Sequence, residues 1–227
     1  MQQKKKLGIL MLDTTFERIP GDVGNPESYP FEIVKKVIKG AKADQAVGGA
    51  DLLAPFLAGA KELEQIGVDA ITTSCGFLAR YQKELSESVG IPFFASSLMQ
   101  IRYIWPLIGK KGKIGVMVAD SRGITGAHLK GADIEDIPIV VYGMEETYFD
   151  EVFVKESKAL DVEIVCNEVV ERAKKMVEEN TDIRAIVLEC TVMPPYANAI
   201  QDAVQLPVYD ITTFANYVMA GFNRSIF

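Results

Sequence analysis

Two stretches of the chain repeat one another. Val68–Pro92 reads VDAITTSCGFLARYQKELSESVGIP, and Ile183–Pro207 reads IRAIVLECTVMPPYANAIQDAVQLP. They align without a gap when the register moves from 75 to 190, a shift of 115 residues. Ala70 then meets Ala185, Ile71 meets Ile186, Cys75 meets Cys190, Tyr81 meets Tyr196, Val89 meets Val204 and Pro92 meets Pro207. Each copy has a short apolar run, a turn at the cysteine and a segment with helical spacing of its apolar residues, which predicts strand, turn and helix. A second repeat supports the first. Lys6–Leu12 (KLGILML) before Asp13 and Lys113–Val118 (KIGVMV) before Asp120 match when the register moves from 13 to 120. A chain written twice in this way predicts two similar halves.

The remaining segments fit alternating strands and helices. The run from Lys6 is apolar throughout, as a strand buried on both faces requires. Thr14–Pro30 is a long irregular loop rich in Gly, Pro, Asn and Asp, a length that usually signals function or disorder. Phe31–Lys39, rich in β-branched residues, is read as a strand. Asp51–Ile66 is a helix with Leu52, Leu53, Phe56, Leu57, Ala60, Leu63 and Ile66 on one stripe. Ile91–Ala95 is a strand and Ser97–Ile108 a helix. In the second half Ile137–Tyr142 is a strand, Glu145–Asp161 is polar and irregular, and Val162–Glu179 is a helix. Val208–Ile211 and Thr212–Phe222 complete the pattern as strand and helix. Strands alternating with helices predict an α/β fold of two pseudo-symmetric lobes, each a parallel sheet flanked by helices. Ligands of such sheets bind beyond the carboxyl ends of the strands. Asp13, Cys75, Asp120 and Cys190 all end predicted strands, so lobes that face each other through those edges would place all four in one cleft.

The totals narrow the function classes. Of 227 residues, 48% are hydrophobic and 24% charged, an ordinary globular balance. A formal net charge of −7 with interspersed signs argues against a nucleic-acid partner. The N-terminal lysine run lacks the apolar core of a signal peptide and no run reaches membrane-spanning length, so no membrane role and a cytoplasmic location are expected. Three cysteines without a CxxC and a single histidine predict free thiols and no metal centre.

Each repeated cysteine is expected just before a helix, where backbone N–H groups favour the thiolate and lower its pKa toward neutrality. Ser74 and Gly76 flank the first cysteine and Thr191 follows the second. Two thiols facing one cleft suit inversion of a stereocentre, in which a thiolate takes a proton from carbon and a thiol returns one to the opposite face. Cys166 lies on a helix stripe and is read as packing. His128 is read as a surface residue, and Arg18 and Arg80 are candidate carboxylate holders. The loop Thr14–Pro30 is expected to be a lid, with Phe16 and Tyr29 as apolar cover and Asn25 and Ser28 supplying hydrogen bonds to the substrate.

The segments KLGILMLD, GDVGNPESYPF, ITTSCGF, KIGVMVADSRGIT and VLECTVMP resemble, over nearly the whole chain, the aspartate/glutamate (hydantoin) racemase superfamily, in an uncharacterised branch. The resemblance implies a cofactor-independent racemase or epimerase acting at a carbon alpha to a carboxylate or carbonyl, with no metal or pyridoxal group. Its substrate would be an amino acid, a hydantoin or a related small acid. Cys75 and Cys190 would be the proton-transfer pair, with Asp13, Asn25, Ser28, Ser74, Gly76, Ser121, Thr125 and Thr191 around the substrate. The halves would divide at 1–108 and 109–207, with Val208–Phe227 returning to the first lobe. A homodimer is left open. Gly76-Phe77 and Thr191-Val192 stand where glutamate racemases usually have Asn-Thr and Thr-His, which points to a less polar or cyclic substrate. The alternatives are a cis–trans isomerase of an unsaturated diacid and a non-catalytic small-molecule binding protein.

Overall fold

The computed structural model describes residues 5–222. The first lobe holds β1 (Lys6–Leu12), β2 (Glu32–Ile38), β3 (Ala70–Thr73) and β4 (Phe93–Phe94), all parallel, in the order β2-β1-β3-β4. The second holds β5 (Lys113–Val118), β6 (Ile139–Gly143), β7 (Ile183–Leu188) and β8 (Val208–Tyr209), parallel in the matching order β6-β5-β7-β8. The registers match too: Leu10 pairs with Thr73, and Met117 with Leu188. The two-lobed α/β fold read from the repeats is the fold found.

The helices are α1 (Ala43–Val47), α2 (Leu53–Ile66), α3 (Gln82–Glu87), α4 (Ile101–Leu107), α5 (Gly126–Gly131), α6 (Tyr148–Phe153), α7 (Val162–Glu179), α8 (Ala197–Val204) and α9 (Ile211–Ala220). Strand β1 shows why its sequence is apolar without interruption. Leu10 and Leu12 point into the core beneath α2, while Leu7, Ile9 and Met11 point to the other face, against Phe214, Ala215 and Met219 of α9. Side chains alternate across a strand, so both faces must be apolar when both are covered.

Each lobe lends the other one helix. Helix α4 follows the last strand of the first sheet, yet Ile101 and Ile104 pack against Ile114, Val116 and Val118 of β5. Helix α9 follows β8 of the second sheet and packs on the first. Strand β8 stays with β7. The chain therefore returns to the first lobe at Asp210, two residues later than the Val208 expected for the return, and the helix at Ser97–Ile108 belongs by packing to the second lobe. Residues 223–227 of the expected returning segment, and 1–4 at the other end, lie outside the described residues. Both crossings begin at a capping residue. The Ser96 hydroxyl accepts from Leu98 N at 3.2 Å, and Asp210 accepts from Thr212 N and Thr213 N at 2.7 and 2.9 Å. The crossing elements also bind each other, because Gln100 Nε2 donates to the Asp210 carbonyl at 2.7 Å.

Three local expectations are corrected. Short α6 lies within the segment read as irregular, because Thr147 caps it and Phe149 and Phe153 bury there. The residues after Cys75 form a 3-10 turn, Gly76–Tyr81, before α3 begins, and a second 3-10 turn, Pro194–Tyr196, precedes α8. His128 is buried, packed edge-on against Phe77 at 5.5 Å, rather than at the surface. Removing the Asp210 cap tests the crossing: Asp210→Ala is expected to cost about 1–2 kcal/mol in urea unfolding, with Asp210→Asn recovering most of it.

Candidate active site

Parallel strands β3 and β7 end at the junction between the lobes, and the chain turns there at Ser74-Cys75-Gly76 and Glu189-Cys190-Thr191. The junction is tied directly. The Thr191 hydroxyl donates to the Ser74 carbonyl at 2.7 Å, and the Ser97 hydroxyl donates to the Leu188 carbonyl at 2.7 Å. Ser74 N donates to Leu10 O at 2.9 Å, and Glu189 N to Met117 O at 2.8 Å, so Ser74 and Glu189 hold equivalent places. Both thiols then line one small cavity of about 40 Å³, with Ser74, Gly76, Glu189 and Thr191. Phe16, Phe77 and Phe153 supply aromatic wall, and Thr14 and Arg18 reach it from the long loop.

The thiols are not poised as the sequence suggested. Burial, then the nearby Glu189 carboxylate, pushes Cys75 up to about 12 and Cys190 well above its ordinary value. The N–H groups of Phe77 and Leu78 act the other way on Cys75, as does that of Val192 on Cys190, but burial dominates. No α-helix begins at either sulfur, so the dipole expected there is replaced by a 3-10 turn and a bare loop. Neutral thiols are the resting form. Cys166 lies half-buried on α7, away from this cavity.

Glu189 is the site residue that the sequence reading passed over. It is fully buried, and neither carboxylate oxygen has a hydrogen-bond partner. Desolvation alone raises its pKa to about 8. A Cβ at position 76 would fall on this carboxylate, so the glycine after Cys75 is required by close approach of the two turns. The signal was present in the repeat register, which sets a carboxylate in an apolar run where the first copy has Ser74.

The long loop crosses to the second lobe. Val23 N donates to Thr191 O at 3.3 Å, and a Cβ at Gly21, whose φ is +99°, would meet Pro195 Cα at 2.7 Å. Its near end is clasped by α6 and the residues just beyond that helix. Phe16 meets Phe153 edge-on at 5.0 Å, and the Thr15 hydroxyl donates to Glu156 at 2.6 Å. Arg18 donates to Asp22 at 2.8 and 3.1 Å and to the Thr14 hydroxyl at 3.0 Å, and its guanidinium lies over the Phe16 ring at 4.7 Å.

Several expected site residues are committed elsewhere. Asn25 caps the turn Pro26–Ser28 and donates to the Arg18 carbonyl at 2.8 Å. The Ser28 hydroxyl donates to Asp22 O and accepts from Gly21 N, so both build the loop instead of facing a ligand. Tyr29 is buried on the far face, its hydroxyl donating to Val23 O at 3.1 Å, and is not cover for the cavity. Asp13 accepts from Gly40 N at 2.9 Å, which holds its carboxyl below the usual range. Asp120 pairs with Arg122, Ser121 donates to Glu145 at 2.7 Å, and Thr125 bonds His128. None of these lines the cavity. A strand-end position brings a residue near the cleft, but the turn after β2 engages Asp13, through Gly40 and Lys42, and Arg122 of its own turn engages Asp120. Among the described residues no group of three or more His, Cys, Asp or Glu side chains gathers as metal ligands.

A buried carboxyl that keeps its proton up to about pH 8 makes stability fall as pH rises. The folded state holds a proton that the unfolded chain releases near 4.5, so stability falls from about pH 5 to pH 8 and then levels. Asp22 and Asp210 shift in the same direction. Comparison with Glu189→Gln isolates Glu189: the variant is expected to be more stable at pH 8 by a few kcal/mol, with no gain at pH 4. Urea titrations at both pH values measure this.

No protein-family profile matches the chain. A dimethylsulfoniopropionate lyase of Durusdinium sp. clade D is 31% identical over 225 residues, covering 95% of this chain and 74% of that protein. Dimethylsulfoniopropionate lyase 5 of Emiliania huxleyi is 32% identical over 225 residues, covering 93% of this chain but 44% of that protein. Among solved structures, arylmalonate decarboxylase superposes with a TM-score of 0.63 at 12% identity, over 97% of this chain and 94% of the other. Glutamate racemase from Bacillus anthracis superposes with a TM-score of 0.60 at 16% identity, over 96% and 83%. With the paired lobes, the strand-end turns and these likenesses together, the chain belongs to the dimethylsulfoniopropionate lyase family, built on the aspartate/glutamate racemase superfamily fold.

Proposed function

We propose that this chain is a cofactor-independent lyase that removes a proton alpha to a carboxylate and expels a sulfide from the neighbouring carbon, with dimethylsulfoniopropionate as substrate. The observation that carries the reading is the placement of two thiols, from equivalent turns of two lobes, in one cavity wall, in a chain whose relatives are named for that substrate. Family membership moves the reading from isomerase to lyase, and the first chemical step is common to both.

One thiolate, Cys75 or Cys190, takes the α-proton. The C–H electron pair becomes the new carbon–carbon double bond, and the pair of the carbon–sulfur bond leaves with sulfur. The products are acrylate and neutral dimethyl sulfide, with the proton left on the thiol. A thiol of raised pKa is a strong base once ionised, and the entering sulfonium charge favours its ionisation in a low-dielectric cavity. Arg18, held by Asp22 and Thr14, is the cation of the wall and receives the substrate carboxylate. The apolar faces of Phe16, Phe77 and Phe153 exclude water from the reacting carbons. The second thiol makes racemisation the competing outcome, through return of a proton to the opposite face.

Headspace measurement of dimethyl sulfide tests the reading. Cys75→Ser and Cys190→Ser are each expected to lower kcat/KM by about a thousandfold or more, because a hydroxyl is a far weaker acid than a thiol. Cys166→Ser should leave turnover nearly intact. Absence of sulfide release, with deuterium entering another 2-substituted acid in heavy water, would return the reading to an isomerase.

A further inference from the structure

Glu189 has no place in the elimination as written, and its surroundings are unusual for a carboxylate. Buried charges are normally paired or hydrogen-bonded. This one has neither, with both oxygens unpartnered at the wall of the cavity. The nearest candidates for a counter-charge are occupied. Arg18 is held by Asp22 and Thr14, and Arg80 donates to the Ala50 carbonyl and lies outside the cavity wall. The titratable groups that share the cavity wall with Glu189 are Cys75 from the first turn, Cys190 beside it, and Arg18 from the loop, which Asp22 holds from outside that wall. Both thiols are neutral at rest and the Arg18 charge is balanced by Asp22, so no unbalanced positive charge faces Glu189.

Three phenyl rings share the wall with this carboxylate: Phe16, Phe77 and Phe153. A sulfonium or quaternary ammonium group carries no N–H or O–H, so hydrogen-bond acceptors in a fixed geometry cannot recognise it. What recognises it is an unshielded negative charge together with aromatic faces, which interact with onium cations through the ring quadrupole. Coulomb attraction in a low-dielectric site acts without direct contact, so a fully buried carboxylate behind Gly76 is sufficient.

We propose that Glu189 is the specificity residue for a cationic group, and that with Phe16, Phe77 and Phe153 it selects onium-bearing carboxylates over uncharged acids of the same shape. This deepens the lyase reading and rests on it for the choice of cation. With no cation beside it Glu189 carries a proton, and an entering onium group displaces that proton. When the carbon–sulfur bond breaks the cation becomes neutral sulfide, and Glu189 again favours its proton. Ionisation of Glu189 thus follows the charge of the occupant, and ligand binding releases a proton below about pH 8.

The test compares two unreactive acids that differ by one charge, 3-(trimethylammonio)propanoate and 4,4-dimethylpentanoate, by titration calorimetry. At pH 9 the wild-type protein is expected to bind the ammonium acid about tenfold or more tightly than its neutral isostere. At pH 6, where a proton occupies Glu189, that preference should shrink several-fold. Glu189→Gln preserves the shape and should show a small preference that does not change with pH. A preference unchanged in Glu189→Gln, one that does not grow with pH in the wild type, or no binding of the ammonium acid would each overturn the proposal. A purely structural role would leave the pH dependence of this ratio untouched. The two readings fail separately. Charge-dependent selectivity without sulfide release would remove the lyase assignment and keep Glu189, while sulfide release without selectivity would do the reverse.

Discussion

The two lobes meet where strands β3 and β7 end, and the Thr191 hydroxyl on the Ser74 carbonyl holds that junction. Everything chemical depends on its closeness. The Glu189 carboxylate is pressed against Gly76, which leaves no room for a side chain there. Both sulfurs are forced into the same wall, Cys75 buried and Cys190 partly so. A cleft between two independently packed lobes would be wide and solvated, and the thiols in it would titrate like ordinary cysteines. Here the contact of turn with turn makes a small, largely desolvated space, where charges are costly and electrostatic effects are strong.

That contact is kept in register by the exchange of helices. Helix α4 leaves the first lobe to cover the second sheet, and α9 makes the return journey. Each sheet's second layer is therefore supplied by the other half of the chain, so neither half completes its core alone. The hydrogen bond from Gln100 to the Asp210 carbonyl joins the two crossings beneath the site. The loop from Thr14 adds a third link on the open side, through Phe16 against Phe153 and Thr15 on Glu156. Two similar lobes thus become one rigid surround for a ligand that must be positioned to a fraction of an ångström.

The electrostatics of the site run opposite to the simplest expectation for a cysteine at a strand-to-helix turn. Backbone N–H groups do point at both sulfurs, yet desolvation outweighs them. The resting cavity holds its protons on Cys75, Cys190 and Glu189, because each of the three groups is desolvated there. Arg18 is the exception, a cation kept in the wall because Asp22, itself buried, is devoted to it.

Periodicity and repetition were enough to read the fold class, the parallel sheets and the pairing of Cys75 with Cys190, because strand burial and strand-end turns depend on local pattern. The family resemblance was legible in the same residues. The roles of Asn25, Ser28, Tyr29, Ser121 and Thr125 were not. Each is a polar or aromatic side chain whose partner lies in its own loop, on the far face or, for Ser121, on Glu145 of a neighbouring loop, and position along the chain does not say which way it turns. Glu189 was visible as a charged residue in an apolar run, but its meaning needed the other lobe. Only tertiary structure brings Gly76 against it, removes every donor from its oxygens and raises its proton affinity. Sequence alone singled out two equivalent turns as the candidate site; the packing of one lobe on the other decided how polar that space is, because the cost of a charge depends on what surrounds it in three dimensions.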